Sequence, residues 1–300
     1  MRIIPGRVET FFFEMLTRIS PELNTKVYYY RKFRRRLNLD SPKTFNEKIL
    51  KLKLTEYGAS PLVKKCADKF LVREYVEEQG CSELLVPLIA AYDNPQEINW
   101  NILPEKFAMK WNFGCGYNLI CLDKSKLDRD STVKKMKKWG EQKEYYLSHS
   151  EMQYKDVQKK IVVEQFLDVG KGKLPEDYKF FCMNGVCRVI MVCKDREIGK
   201  KARYFWMDTN WNLLPYSMEA IENPFEKIDK PTCLEAAIEY AQKLSEPFKF
   251  VRVDLYLIED KIYFGELTFT PAGGMDVDLL IVPPNENKTV DEILGSYLEL

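Results

Sequence analysis

The stretch RVDLYLIEDKIYFGELTFTPAGG, Arg252 to Gly274, sets two runs of branched and aromatic residues on either side of a short charged turn. Their period-two alternation predicts a pair of antiparallel strands. If the chain reverses over Glu259-Asp260-Lys261 with Ile258 and Ile262 closing the turn, Tyr256 faces Phe264, Asp254 faces Glu266 and Arg252 faces Thr268. Asp254, Glu266, Arg252 and Thr268 then share one face, while Val251, Val253, Leu255 and Leu257 point to the other. Directly opposed carboxylates, with Cβ atoms roughly 5 Å apart, repel one another. A positive group must sit between them. Mg²⁺ suits such a pair, because it takes one or two carboxylates together with phosphate oxygens. Arg252 neutralising both acids is the other reading. Register decides between sites as well: a two-residue turn at Asp260-Lys261 would set Asp254 against Leu267 and separate the acids.

The rest of the chain limits what such a hairpin can serve. Three hundred residues exceed one ordinary core, so two or three lobes around a shared cleft are expected. Lys and Arg number 46 against 45 Asp and Glu, a formal charge of +1, which excludes a protein that wraps nucleic acid through a general positive field. With 45% hydrophobic and 13% aromatic residues and no low-complexity tract, the chain should be ordered almost throughout. The eight cysteines contain no CxxC pair and there is one histidine, His149, so reduced and mostly buried thiols are expected rather than a zinc site. Neither a signal-peptide h-region nor a membrane-spanning apolar run is present, which points to the cytoplasm.

Val8, Phe11, Phe12, Met15, Leu16 and Ile19 predict an amphipathic helix ending before Ser20-Pro21. KVYYYRKFRRRLNL follows, with six cations interleaved with four aromatics. Residues 26–36 read either as a solvated helix face with its apolar side on the body or as a docking surface for an anionic membrane or acidic glycan. Thr44 with Glu47 predicts a capping box, and LVKKCADKFLVREYVEEQG a single helix stopped by Gly80. Beyond Pro104 the period changes to that of strands, with helices over 125–148 and 231–245. Asn184-Gly185 predicts a type I′ hairpin, since both central residues of that turn need positive φ. The fold class is therefore α+β, with strands joined mainly by hairpins.

KFAMKWNFGCGYN places Lys110 on a strand before a loop containing Gly114 and Gly116, where a lysine and backbone amides could meet phosphates. KIVVEQFL is an apolar strand running into Glu164-Gln165-Phe166-Leu167, where exposed backbone and an acid could read an adenine edge. An ordinary turn and a buried strand end are the plainer readings of these two pieces.

Taken in order, SPKTFNEKI, ADKFLVREYV, LPEKFAMKWNFGCGYNLIC, IVVEQFL, DYKFFCMNG and the opening stretch resemble the ATP-grasp superfamily, and more closely its TupA-like branch, associated with cell-surface polysaccharide synthesis. The resemblance implies an ATP-grasp fold in which two α+β lobes grip ATP. Residues 1–60 would be an added N-terminal helical region, 61–104 the N-terminal subdomain, 105–168 the lid and 169–300 the C-terminal catalytic subdomain. Lys69 and Lys110 match the two nucleotide lysines, Glu164, Gln165, Phe166 and Leu167 the adenine hinge, and Asp254 and Glu266 the magnesium acids. Lys179 matches a phosphate contact. Thr268 stands where many members have asparagine. Arg252, aligned with the metals, would stabilise the transferring phosphoryl group.

The activity implied is that of an ATP- and Mg²⁺-dependent carboxylate–amine ligase working through an acyl phosphate, on a uronic acid of a capsular or other cell-surface glycan. No protein nucleophile is needed, which fits a chain with no recognisable triad. His149 is either a base or a surface histidine in a linker. Lys200, Lys201, Arg203, Gly273 and Gly274 are candidates for the acceptor pocket. Phosphoryl or glycosyl transfer in polysaccharide assembly, and a nucleotide-regulated scaffold held at the inner face of the membrane by residues 26–36, are the alternatives.

Overall fold

A computed structural model describes residues 7–142, 144–170, 173–197 and 199–300. The N-terminal part is helical: α1 (Arg7–Ile19), α2 (Pro21–Phe33) and α3 (Phe45–Leu52), which runs into one π-helical turn over Lys53–Tyr57. Ser20 caps α2, and its one-residue link folds α2 back on α1, so that Phe13 meets Tyr28 edge-on at 4.9 Å. Thr44 and Glu47 form the expected capping box on α3.

The aromatics of residues 26–36 are turned largely inward. Tyr29 is fully buried and stacks on Phe33, while Arg35 donates to the Tyr29 hydroxyl and pairs with buried Asp291. The stretch is thus a clasp between α2 and the C-terminal helix as well as a basic surface.

Where one helix was expected over residues 62–80, two short ones occur, α4 (Pro61–Ala67) and α5 (Val72–Glu78). Asp68 breaks the run, leaving helical φ/ψ and accepting the backbone N–H groups of Phe70 and Leu71. A four-stranded antiparallel sheet follows, built from β1 (Leu88–Tyr92), β2 (Phe107–Trp111), β3 (Asn118–Cys121) and β4 (Ile161–Gln165) in the order β1-β4-β2-β3. Helices α6 (Arg129–Gly140) and α7 (Tyr145–His149) lie between β3 and β4 in the chain.

The larger sheet comprises β5 (Asp177–Met183), β6 (Val186–Lys194), β7 (Arg203–Met207), β8 (Leu213–Leu214), β9 (Phe250–Ile258) and β10 (Lys261–Thr268) in the order β10-β9-β5-β6-β7-β8, all antiparallel. Asn184 and Gly185 carry φ values of 53° and 79°, the positive pair the β5–β6 hairpin requires. Helix α8 (Met218–Glu222) is short; α9 (Leu234–Ser245) and α10 (Val290–Tyr297) complete the chain. Phe180, Val251, Val253 and Leu255 enter one core with residues of α3, α5, α9 and α10, and a second core with Phe107, Met109 and Val163 lies against the smaller sheet. Six of the eight cysteines are buried and all are reduced; Cys115 is exposed in the glycine loop. Among the described residues no helix is long and apolar enough to cross a membrane.

Candidate active site

The β9–β10 hairpin turns over Glu259-Asp260 alone, one residue shorter than expected, with Glu259 at φ 55° and Lys261 paired with Ile258. Tyr256 consequently faces Tyr263, and Phe264 faces Leu255. The register then shifts at Gly265, so that Glu266 faces Asp254 and Thr268 faces Arg252 after all. This bulge needs glycine: a Cβ at 265 would stand 2.9 Å from the Asp254 carbonyl oxygen. The acids therefore oppose each other through a bulge, not through the turn from which that pairing was expected.

What lies between them is a set of cations. The Arg252 Nε and Nη2 atoms donate to both Asp254 oxygens at 2.6 Å, and Nη2 also reaches the Glu266 Oε1 at 3.4 Å and the Thr268 hydroxyl at 3.1 Å. Lys179, one strand over on β5, donates to Asp254 at 2.6 Å and to Asp177. Asp254 is 3% exposed, whereas the Glu266 side chain is 37% exposed. Burial works against both charged groups on Arg252 and Lys179, yet the carboxylates around them lift each above its ordinary pKa. Burial likewise pushes the Asp254 carboxyl up, with Arg252 and Lys179 pulling against it. For Glu266 the balance falls the other way: Lys69, Arg252 and Lys179 overcome desolvation and hold its carboxyl down to about 2.

Lys69 sits in the break between α4 and α5. Its Nζ donates to the Gly114 carbonyl at 2.7 Å and lies 3.6 Å from Glu266, so one side chain ties the glycine loop to the acid pair. Gly114 and Gly116 both have positive φ, 67° and 84°. Asn112 braces this corner, accepting the Lys69 backbone N–H through its carbonyl and donating from its side chain to Asp68 at 2.6 Å. Lys110, on β2, pairs with Glu164 of β4 at 2.7 Å, and Arg73 of α5 pairs with the same carboxylate at 3.2 Å. Glu164 raises the Lys110 ammonium against its burial. With both partners engaged, the Glu164 side chain is a counter-ion and does not present a free edge for a base. The β4 ladder ends at Gln165, which faces Phe107, and the backbone of Phe166 and Leu167 lies beyond the paired strands.

The remaining candidates divide. Gly273 lies in the turn after β10, where the backbone carbonyls of Gly273 and His149 accept from the buried Lys53 ammonium at 3.2 and 2.8 Å. Gly274 packs on Leu50, with no room for a Cβ. Lys200 pairs with Glu197, and Arg203 with Asp195 and Glu226. Those pairings lie at β7 and in its connection from β6, two to three strand spacings along the sheet from β9, and it is Arg196 of that connection that reaches Tyr256 of β9; Lys201 is exposed beside them. His149 is no linker histidine at the surface. It packs against Tyr28, and burial together with Lys53 and Lys32 lowers it to about 4.

Several participants escaped the sequence reading. Asp177 is buried, accepting from Lys179 through Oδ2 with its Oδ1 unpartnered. Glu151 is buried and accepts from the Thr270 hydroxyl at 2.7 Å, its carboxyl pushed up by desolvation. Asn112 and Arg73 were likewise unforeseen, because each acts across elements far apart in the chain.

The donor chemistry fits a magnesium–nucleotide ligand. Asp254, Glu266 and Thr268 offer hard oxygens, while Lys69, Lys110, Lys179 and Arg252 surround them with positive charge. Among the described residues no group of three His, Cys, Asp or Glu could hold a metal. Two carboxylates need further oxygens to complete a magnesium shell, and phosphates supply them.

Solved structures with a similar fold include D-alanine–D-alanine ligase from Bacillus anthracis complexed with ATP, at 12% identity over 69% of this chain and 57% of that one, TM-score 0.43. The ATP-grasp ligase PsnB with its minimal precursor is similar at 8% identity over 84% and 66%, TM-score 0.43. So is the D-cycloserine synthetase DcsG, at 10% identity over 79% and 71%, TM-score 0.42. This chain thus spans little more than half the length of the D-alanine–D-alanine ligase. No curated protein matches the sequence. The model of the TupA-like ATP-grasp family matches residues 47–299. The chain belongs to that family.

Proposed function

We propose that this protein is a carboxylate–amine ligase that joins an amine to a uronic acid of a cell-surface glycan, using the ATP and Mg²⁺ that serve its family. The observation that carries the reading is the convergence of three cations, Lys69, Lys179 and Arg252, on an opposed acid pair, with the glycine loop tied to that pair by Lys69. ATP with Mg²⁺ would supply the phosphoryl group that turns the carboxylate into an acyl phosphate with release of ADP, and the amine would then attack the acyl carbon and displace inorganic phosphate to leave the amide.

The residues divide that work by position. Asp254 and Glu266, with the Thr268 hydroxyl, are placed to hold the metal. Lys69, Lys110 and the loop of Gly114 and Gly116 are placed to bind phosphates, and the backbone of Phe166 and Leu167 to meet the base. Arg252 and Lys179 offset the repulsion between an incoming carboxylate and a triphosphate, a job of positioning and charge neutralisation. The glycan part of the reading is supported by the resemblance to the TupA-like branch, which is associated with cell-surface polysaccharide synthesis. Its pocket is placed at the Gly273-Gly274 turn, since the cations of Lys200 and Arg203 are already neutralised by their neighbours.

A mass-spectrometric screen of uronates paired with amines, in the presence of ATP and Mg²⁺, tests the reading. A condensation product with equal release of ADP and phosphate is expected. ADP released with phosphate retained on the sugar would make the protein a kinase instead, and ATP bound but never turned over would make it a scaffold.

A further inference from the structure

Helix α1 turns its apolar side away from the protein. Phe11, Phe12, Met15 and Ile19 are 63, 51, 41 and 71% exposed, while Thr17 is buried, donating to the Leu147 carbonyl and sharing a 2.8 Å contact with the Ser150 hydroxyl. At about 100° per residue, positions 11, 12, 15, 18 and 19 fall within one arc of roughly 120°. Phe13 faces inward, against Tyr28 and the Arg31 guanidinium. A contiguous apolar stripe of this size on a soluble surface marks a contact waiting for an apolar partner.

Charge identifies the partner. The charged residue within the arc is Arg18, paired with Glu144 of the segment before α7. On α2, which packs against α1, Leu23 and Tyr30 are exposed as well, together with Lys26, and Arg34 and Arg36 follow beyond its end. Lys26 is held by Glu22. A twofold contact with a second copy through this face would set the cations of two copies against each other. An anionic bilayer does the reverse: it offers headgroups to the arginines and an acyl boundary to the aromatic and aliphatic side chains.

We propose that the outward face of α1, flanked by the cations at the end of α2, seats this protein on an anionic lipid surface. Thirteen residues are too few to span a bilayer, so α1 lies in the interface plane. Phe11, Phe12, Met15 and Ile19 enter the boundary, and Arg34 and Arg36 remain among the headgroups. Apolar insertion and basic attraction are the two signals that interfacial binding needs, each being marginal alone. The inference is independent of the ligase reading, because none of these residues belongs to the cleft.

The test is co-sedimentation of the full chain with dioleoylphosphatidylglycerol vesicles and with dioleoylphosphatidylcholine vesicles, at low and at high salt. Binding to the first, weakened by salt and by the neutral lipid, is expected. The variant F11S/M15S/I19S should lower the bound fraction at least about tenfold, because each large side chain forfeits its burial. Arg34→Glu with Arg36→Glu should lower binding to the anionic vesicles while leaving the weak binding to neutral ones. Circular dichroism melting should be unchanged in both variants, since the substituted side chains are exposed. Wild-type protein that stays in the supernatant, or a serine variant that sediments as well as wild type, would overturn the proposal. So would a dimer in analytical ultracentrifugation that the serine variant splits and that never binds vesicles, which would assign the face to a second copy.

Discussion

Glu266 is the acid whose replacement separates chemistry from folding. Both oxygens of Asp254 are taken by buried cations, so Asp254→Asn strands Arg252 and Lys179 at a cost of about 3–5 kcal/mol, and lost turnover would be mixed with unfolding. Glu266 faces the cleft more openly. Glu266→Gln should keep the melting temperature within a few degrees of wild type and lower ATP turnover by about 10²-fold or more, the scale at which a charge-stabilising contact counts. Steady-state ADP release beside a thermal melt checks both. The same residue leaves a mark in acid. Its folded-state value of about 2 lies below the ordinary 4.5, so its contribution to stability is complete above pH 4.5 and is lost as pH falls toward 2. His149, lowered from 6.5 to about 4, binds its proton more readily in the unfolded chain, so stability also falls as pH drops from 6.5 to 4. Chemical denaturation at stepped pH should show His149→Gln flattening the upper window and Glu266→Gln the lower one. A single shared window would mean that one of these environments differs in solution.

At the scale of elements, the site depends on a bulge. With its turn at Glu259-Asp260, an unbroken β9–β10 ladder would put Gly265 opposite Asp254 and direct Glu266 into the core with Val253. The extra residue at Gly265 restores the acid pair. Gly265→Ala, whose Cβ would meet the Asp254 carbonyl at 2.9 Å, should cost about 1–3 kcal/mol and abolish nucleotide binding, as read by denaturant titration and by calorimetry with ATP and Mg²⁺. The shared face of Arg252, Asp254, Glu266 and Thr268 was legible in the sequence because strand periodicity is local; the bulge was not, since two compensating one-residue shifts leave the same pattern. The break at Asp68 was hidden for another reason. LVKKCADKFLVREYVEE has helical spacing throughout, and part of what holds the interruption open, the grip of Asn112 on Asp68 and Lys69, comes from more than forty residues away. The capping box of Thr44 and the Asn184-Gly185 turn, by contrast, are settled within four residues and occur where expected. His149 looked like a surface histidine in a linker because its neighbours, Tyr28 and Lys53, come from distant parts of the chain, whereas the buried Tyr29 of α2 lies on the apolar side expected against the body.

Across the whole molecule, one lysine ties the two sheets together. Lys69 joins the glycine loop, at the end of the smaller sheet, to Glu266 on the edge strand of the larger one. A ligand seated there would contact both sheets and stabilise them together. Since two carboxylates with a hydroxyl do not complete a magnesium shell, Mg²⁺ alone should bind weakly and barely move the melting temperature, and ATP alone should move it little against the negative charge of Asp254 and Glu266. Supplied together at about a hundred times their joint Kd, they should stabilise the fold by about 2.7 kcal/mol, a rise of a few degrees. Lys69→Met should erase most of that joint shift, because the phosphates lose a cation and the glycine loop loses its tie to the acid pair. Differential scanning fluorimetry with the four combinations of Mg²⁺ and ATP, on wild type and on the lysine variant, reads this directly. A full shift with Mg²⁺ alone, or a joint shift unchanged in Lys69→Met, would place the nucleotide somewhere other than between these sheets.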